Sequence, residues 1–239
     1  MRNRLLVVAA VLATAAFAQQ GRRPAFRTVA PEAQSASGGK AVTGAPYSAD
    51  EISEHVQTLK DGTHVEHPPV TVKMYRDSAG RTRTERPTLV TIEDPVAQVR
   101  YTFALNTADK VAHKESLQTP HAAPAPAPQH ASTEPSARPE TTTEKLGRQT
   151  MEGVTVEGER RTTTWPAGSR GNDQPITMVD EVWKSPELKV AVLFKRNDPL
   201  TGEAARRLTN IVRTDPDPSL FHPPADYTIA QGGEAGLQH

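Results

Sequence analysis

The chain has 239 residues and no net charge, 28 basic side chains balancing 28 acidic ones. A general nucleic-acid binder draws affinity from neutralising phosphates and shows a basic excess, so this balance excludes nucleic acid as a partner of the chain as a whole. The absence of cysteine excludes disulfides, cysteine-ligated zinc, iron–sulfur clusters, thiol nucleophiles and lipid attachment at a cysteine.

Residues 1–18 combine a positive "MRNR", the apolar run "LLVVAAVLATAAF" and the small residues of "AFA". This is the pattern of a secretory signal peptide cleaved between Ala18 and Gln19. The run is shorter than the roughly 20 residues a membrane span needs. An exported product is expected, periplasmic or extracellular and not transmembrane. Residues 19–46 lack periodicity and read as a disordered leader, residues 114–144 as a Pro/Ala-rich linker built around "APAPAP", and residues 230–239 as a frayed tail. A single β-sheet domain over 47–229, interrupted by that linker, remains.

Both structured blocks read as strands. "ISEHVQTL" meets "THVEHPPVTVKMY" across Asp61-Gly62, a strong hairpin signal. A capping box, Ser48-x-x-Glu51, would suit a helix start, but the turn after it favours a strand. "PTLVTIED" and "VRYTFALN" follow across "DPVA". In the second block "KLGRQTM" and "VTVEGERRTTTW" flank a tight turn, then come "PITMVDEVWKS", "LKVAVLFKR" and "ARRLTNIVRT". Over 202–213, Leu208, Ile211 and Val212 suit a helix face, whereas Leu208, Asn210 and Val212 suit a strand. "NDPLTGE" as a hairpin turn favours the strand. Turns at this spacing predict a mainly β fold, a single antiparallel sheet of meander topology. Its interior is expected to take Val70, Val72, Met74, Leu89, Ile92, Tyr101 and Phe103 from the first block. The second should add Met178, Val182, Val190, Val192, Phe194, Leu208 and Phe221.

The most basic stretch is "YRDSAGRTRTER", Tyr75–Arg86. "DSAG" fits a type I turn with Asp77 first and Gly80 fourth. That turn sets Asp77 opposite Arg81, Tyr75 opposite Arg83 and Lys73 opposite Glu85, all on one face. The charges thereby gain local partners, and a solvated hairpin is favoured over an anion or partner site. Arg76 and Arg86 gain no obvious neighbour.

Other chemistry is sparse. His64 and His67 point to opposite faces of a strand; with Glu66 and with His55 across the hairpin they suggest at most a weak surface metal site. No cofactor and no specified metal is expected. Nucleophile-elbow, zincin, P-loop and dinucleotide-binding patterns are all missing from the sequence. Asp180 and Glu181 are adjacent and face apart on a strand, unlike a converging acid–base pair. The final apolar anchors, Leu220, Phe221 and Tyr227, lie in the proline-rich "DPDPSLFHPPADYTI". Such a strap closes a sheet edge, or alternatively acts as a flap over an apolar cavity.

On "YRDSAGRTRTE", "LGRQTMEGVTVEGERRTTTWPAGSRGND" and "DPDPSLFHPPADY", the chain resembles an uncharacterised family of exported bacterial proteins. The order of hairpins, Trp strand and closing strap is more remotely similar to periplasmic lipoprotein-carrier half-barrels, a resemblance that implies a curved sheet around an apolar cavity and no catalytic residues. The reading that follows is an exported non-enzymatic β-sheet protein binding an apolar or lipid-like ligand on a concave face. Alternatives are an envelope structural or protein-interaction module and, third, an envelope-polymer hydrolase. The candidate ligand or partner surface comprises Tyr75, Arg81, Arg83, Trp183, Phe194, Phe221 and Tyr227.

Overall fold

A computed structural model describes residues 41–59, 61–117 and 138–231. They form two antiparallel meanders. The first runs β1 (Tyr47–Thr58), β2 (His64–Arg76), β3 (Thr82–Glu85), β4 (Leu89–Asp94), β5 (Val99–Ala104) and β6 (Val111–Ser116). The second runs β7 (Glu140–Met151), β8 (Val154–Trp165), β9 (Ile176–Ser185), β10 (Val190–Asp198) and β11 (Gly202–Val212). A 3-10 turn at Pro218–Phe221 and a short β12 (Thr228–Gln231) complete the order.

Local chemistry sets the hairpins. Between β7 and β8, Glu152 and Gly153 both take positive φ, 49° and 74°, as a two-residue type I′ turn requires. The "DSAG" turn forms as expected: the Gly80 amide donates to the Asp77 carbonyl at 3.0 Å, and Tyr75 pairs with Arg83 and Lys73 with Glu85. Period-two burial follows from the sequence. In β8, Val154, Val156 and Gly158 are buried while Thr155, Glu157 and Glu159 are exposed.

The two meanders join through β1 and β11, paired antiparallel from Ser48–Val212 to Val56–Glu203. The spatial order is β12-β6-β5-β4-β3-β2-β1-β11-β10-β9-β8-β7, one open curved sheet of twelve strands. Both sequence blocks thus belong to the same sheet, and 202–212 is strand, as favoured. One pairing corrects the purely antiparallel expectation: β12 runs parallel to β6. The chain reaches β12 from β11 by the strap, across the β3–β6 half, and so arrives in the same direction as β6.

Apolar residues gather in two clusters. One contains Tyr47, Ala49, Val154, Val156, Trp183, Leu188, Val192 and Leu208; the other contains Val90, Ile92, Phe103, Ala112 and Phe221. In the first, the Trp183 ring lies flat against Gly158, so close that a Cβ there would stand 2.6 Å from it. Arg76 is 7% exposed and has become part of this interior. Its Nε donates to the Ala45 carbonyl at 3.0 Å, its Nη2 donates to the Leu188 carbonyl, and its guanidinium sits 4.7 Å from the Tyr47 ring centre. Burial lowers the pKa of Arg76 and raises that of Tyr47. A fork of donors is what two carbonyls in different loops require, and only arginine supplies one.

Several expectations shift. Val70 and Leu89 are not interior: they are 47% and 37% exposed. On β2 the four residues of β3 reach only Lys73–Arg76, so Val70 has no β3 neighbour across from it. In β4 the buried positions are Val90, Ile92 and Asp94, and alternation turns Leu89 to the other side. Strand β6 extends to Ser116 and β7 begins at Glu140, so the linker between them is shorter than 114–144. The end of the leader is docked, with Ala45 buried and the Gly44 amide donating to the Ser78 carbonyl at 2.9 Å. The tail's first two residues, 230 and 231, belong to β12. The signal segment, most of the leader, the Pro/Ala centre and residues 232–239 lie outside the described residues.

Candidate functional site beneath the C-terminal strap

One face of β3–β6 is almost wholly apolar at its centre. Val90 stands opposite Phe103, and Phe103 opposite Ala112, in a row across β4, β5 and β6. Beside it runs Tyr75, Arg83, Ile92 and Tyr101, each paired with the next. Directly opposed residues share a face, so both rows look the same way. Among the described residues no second sheet packs on them. The 3-10 turn does so instead, placing the Phe221 side chain, wholly buried, into the centre with Leu220 beside it.

The strap folds locally through its own turn chemistry. Asp217 caps the 3-10 turn by accepting from the Ser219 amide at 2.9 Å, with Pro218 in the first turn. This contact holds the Asp217 carboxyl below its ordinary pKa. Asp215 accepts from the Ser78 amide and hydroxyl, both at 2.7 Å, and those bonds lower its pKa likewise. Arg83 donates from Nη1 to the Leu220 carbonyl at 3.0 Å and from Nε to Glu85 at 2.6 Å. Arg81 pairs with Asp77 at 2.6 Å and lays its guanidinium 5.0 Å from the Phe221 ring centre. Tyr227 donates to the Ala104 carbonyl at 2.9 Å and meets Phe103 edge-on at 4.9 Å. Lys110 then contacts both Asp226 and the Tyr227 ring.

The arginine hairpin is therefore a clasp for the chain's own strap, not merely a solvated turn. Tyr75, Arg81, Arg83, Phe221 and Tyr227 come together here. Trp183 does not: it lies in the other cluster, its Nε1–H donating to Glu181 at 2.7 Å. Phe194 is separate again, flanked by Arg196 and Arg206 at 5.5 and 5.4 Å from its ring centre. With Glu51, Ala191, Arg207 and Leu208 it lines a shallow depression in which the buried Nε of Arg206 has no hydrogen-bond partner. Sequence reasoning missed Asp215, whose link to Ser78 joins two distant turns and leaves no local signal. It also missed Val90, which the alternation within "LVTIED" could have found.

The space beneath the strap is filled: Val90, Ile92, Phe103, Ala112 and Phe221 are all buried against one another. The ionised groups around this cluster are engaged with one another or with backbone carbonyls.

No family model matches the chain, and no curated protein does. Among solved structures it is similar to an uncharacterised conserved protein from Thermus thermophilus, at 10% identity over 78% of this chain and 90% of that one, with a TM-score of 0.41. It is similar to MucB in the Pseudomonas aeruginosa MucA/MucB complex, at 9% identity and a TM-score of 0.35, over 75% of this chain and 56% of that one. The chain thus spans little more than half of that protein. A LolA superfamily protein from Nitrosomonas europaea matches at 8% identity and a TM-score of 0.28, over 74% of this chain and 90% of that one. None of these likenesses is close enough to carry a conclusion, and the fold and the strap-covered cluster stand on the strand order and packing above.

Proposed function

We propose that this chain is an exported, non-enzymatic binding protein that takes an apolar or lipid-like ligand on the β4–β6 face, with the strap as the cover that a ligand displaces. One observation carries the reading. The apolar centre is sealed by a single 3-10 turn and one inserted phenyl ring, not by a second layer of the fold. The strap's outer fastenings are polar and reversible, at Asp215–Ser78, Arg83–Leu220 and Tyr227–Ala104. The amino-terminal signal pattern supports export.

The test is titration of the full mature chain with a fluorescent fatty-acid analogue. Binding is expected to saturate, and Ser78→Ala, which loosens the strap, should raise affinity about fivefold by populating the open form. A chain that binds no probe with or without Ser78→Ala would overturn the proposal. A second reading, an envelope protein-interaction module, draws on β7, a twelve-residue outer strand that is exposed along nearly its whole length. The basic hairpin does not favour it, because Arg81 and Arg83 are engaged with the strap.

A further inference from the structure

We propose that His55 and His67 form a binding site for a divalent transition ion, Zn2+, Cu2+ or Ni2+, which would bridge β1 and β2 in the outer half of their hairpin. The residues are twelve apart in sequence but directly opposed in register, just beyond the bulge between Ser53 and His55. Their rings stack with centroids 5.3 Å apart and planes 27° apart. Stacked rings point their nitrogens side by side, so the exposed His67 would turn out of the stack for both imidazoles to reach one ion.

The tautomer of His55 is fixed by its surroundings. Its Nε2 lies 2.9 Å from the Thr201 carbonyl, which can only accept, so in the neutral ring Nε2 carries the proton and Nδ1 is the nitrogen left to bind an ion. A carbonyl gripping the far nitrogen is the usual outer contact of a metal-ligating histidine. His67 is exposed and reachable from solvent. On β11, the residue opposite His55 is Ala204, whose small side chain leaves the space beside the rings open. Two residues along, Arg206 is turned to the Phe194 ring. His64 does not join: it sits opposite Thr58, whose hydroxyl lies 3.1 Å from its Nδ1. Glu66 pairs with Val56 and faces the other way.

Among the described residues no cluster of three or more histidine or acidic side chains is placed to hold a metal. The protein therefore supplies two ligands and water completes the shell, which suits borderline ions that accept imidazole and makes the site exchangeable. Binding would fasten the part of β2 that β3 does not reach, since on β2 it pairs with Lys73–Arg76 alone.

The experiment uses the full chain without a polyhistidine tag, titrated with Zn2+ by calorimetry. Saturable binding is expected, weakened at least about tenfold by His67→Ala and left within about twofold by His64→Ala. Zn2+ should raise the unfolding midpoint of the wild type and of His64→Ala, but not of His67→Ala. His67 is exposed, so its variant should keep the wild-type circular dichroism. Absence of saturable binding would overturn the proposal. So would a His67→Ala variant that binds as the wild type does, or an equal loss in His64→Ala.

Discussion

Replacing Gly158 by alanine sets two effects against each other, and the structure decides between them. Glycine within a strand is about 0.5–1 kcal/mol worse than alanine, so backbone preference alone predicts that Gly158→Ala stabilises the protein. The added methyl, however, would lie 2.6–2.7 Å from three carbons of the Trp183 ring. That ring is itself buried among Val154 and Val156 and is held by the 2.7 Å bond from its Nε1 to Glu181. Compressing such a contact costs about 1–3 kcal/mol. Swinging the ring out forfeits instead a hydrogen bond to a charged acceptor, about 1.5–3 kcal/mol. Either route outweighs the backbone gain, so a net loss of about 1–2 kcal/mol is expected. Urea denaturation followed by circular dichroism measures it, and tryptophan fluorescence reports whether the ring moves. In a Trp183→Leu background the same substitution should become neutral or stabilising. A Gly158→Ala protein at least as stable as wild type, or one that loses as much without the indole, would refute the argument.

Gly202→Ala should cost at least about 2 kcal/mol, because its φ of 95° disfavours a side chain and its Cβ would stand 2.3 Å from the Val56 carbonyl oxygen, a backbone atom; urea midpoints check this. Arg76→Lys preserves charge but offers a single point donor to two carbonyls, so it is expected to lose about 1.5–3 kcal/mol; an unchanged midpoint would mean that one carbonyl does not need the guanidinium. The Asp215 clasp is pH-dependent. Its folded pKa is depressed below 3.8, so its contribution is present above that value and is lost as pH falls through the lower folded one. Proteolysis within the strap should accelerate in that acid window, and by less in Asp215→Asn, where only the Asp217 cap still titrates.

The parts of this fold that rest on neighbours in sequence were legible. "DSAG" dictates its own turn, and through it the pairing of Tyr75 with Arg83 was readable in advance. The strap's anchors were equally visible, since Phe221 and Tyr227 stand out in a proline-rich segment. Charge was misread where it is buried: nothing local distinguishes Arg76, which ends in the interior, from Arg86, which stays exposed just past the end of β3. Phe194 and Trp183 were grouped as one surface because sequence gives no measure of depth, yet Trp183 is buried beside a glycine and Phe194 is half-covered by two guanidinium groups. The parallel pairing of β12 was hidden for a different reason. "YTIAQ" is short, and only the path of the preceding strap brings it to β6.

The seam between β1 and β11 has a consequence for how the chain reaches its native state. Glu54 and Arg207, which form a two-pronged ion pair across it, are 153 residues apart in sequence. Each meander is made of near-sequence pairings and can zip up by itself, whereas this junction must wait until almost the whole polypeptide is present. Until then β1 offers a bare flank to any extended segment it meets, which invites mispairing. A permuted chain opened between β6 and β7 would shorten that separation and should fold faster, leaving the finished sheet unchanged.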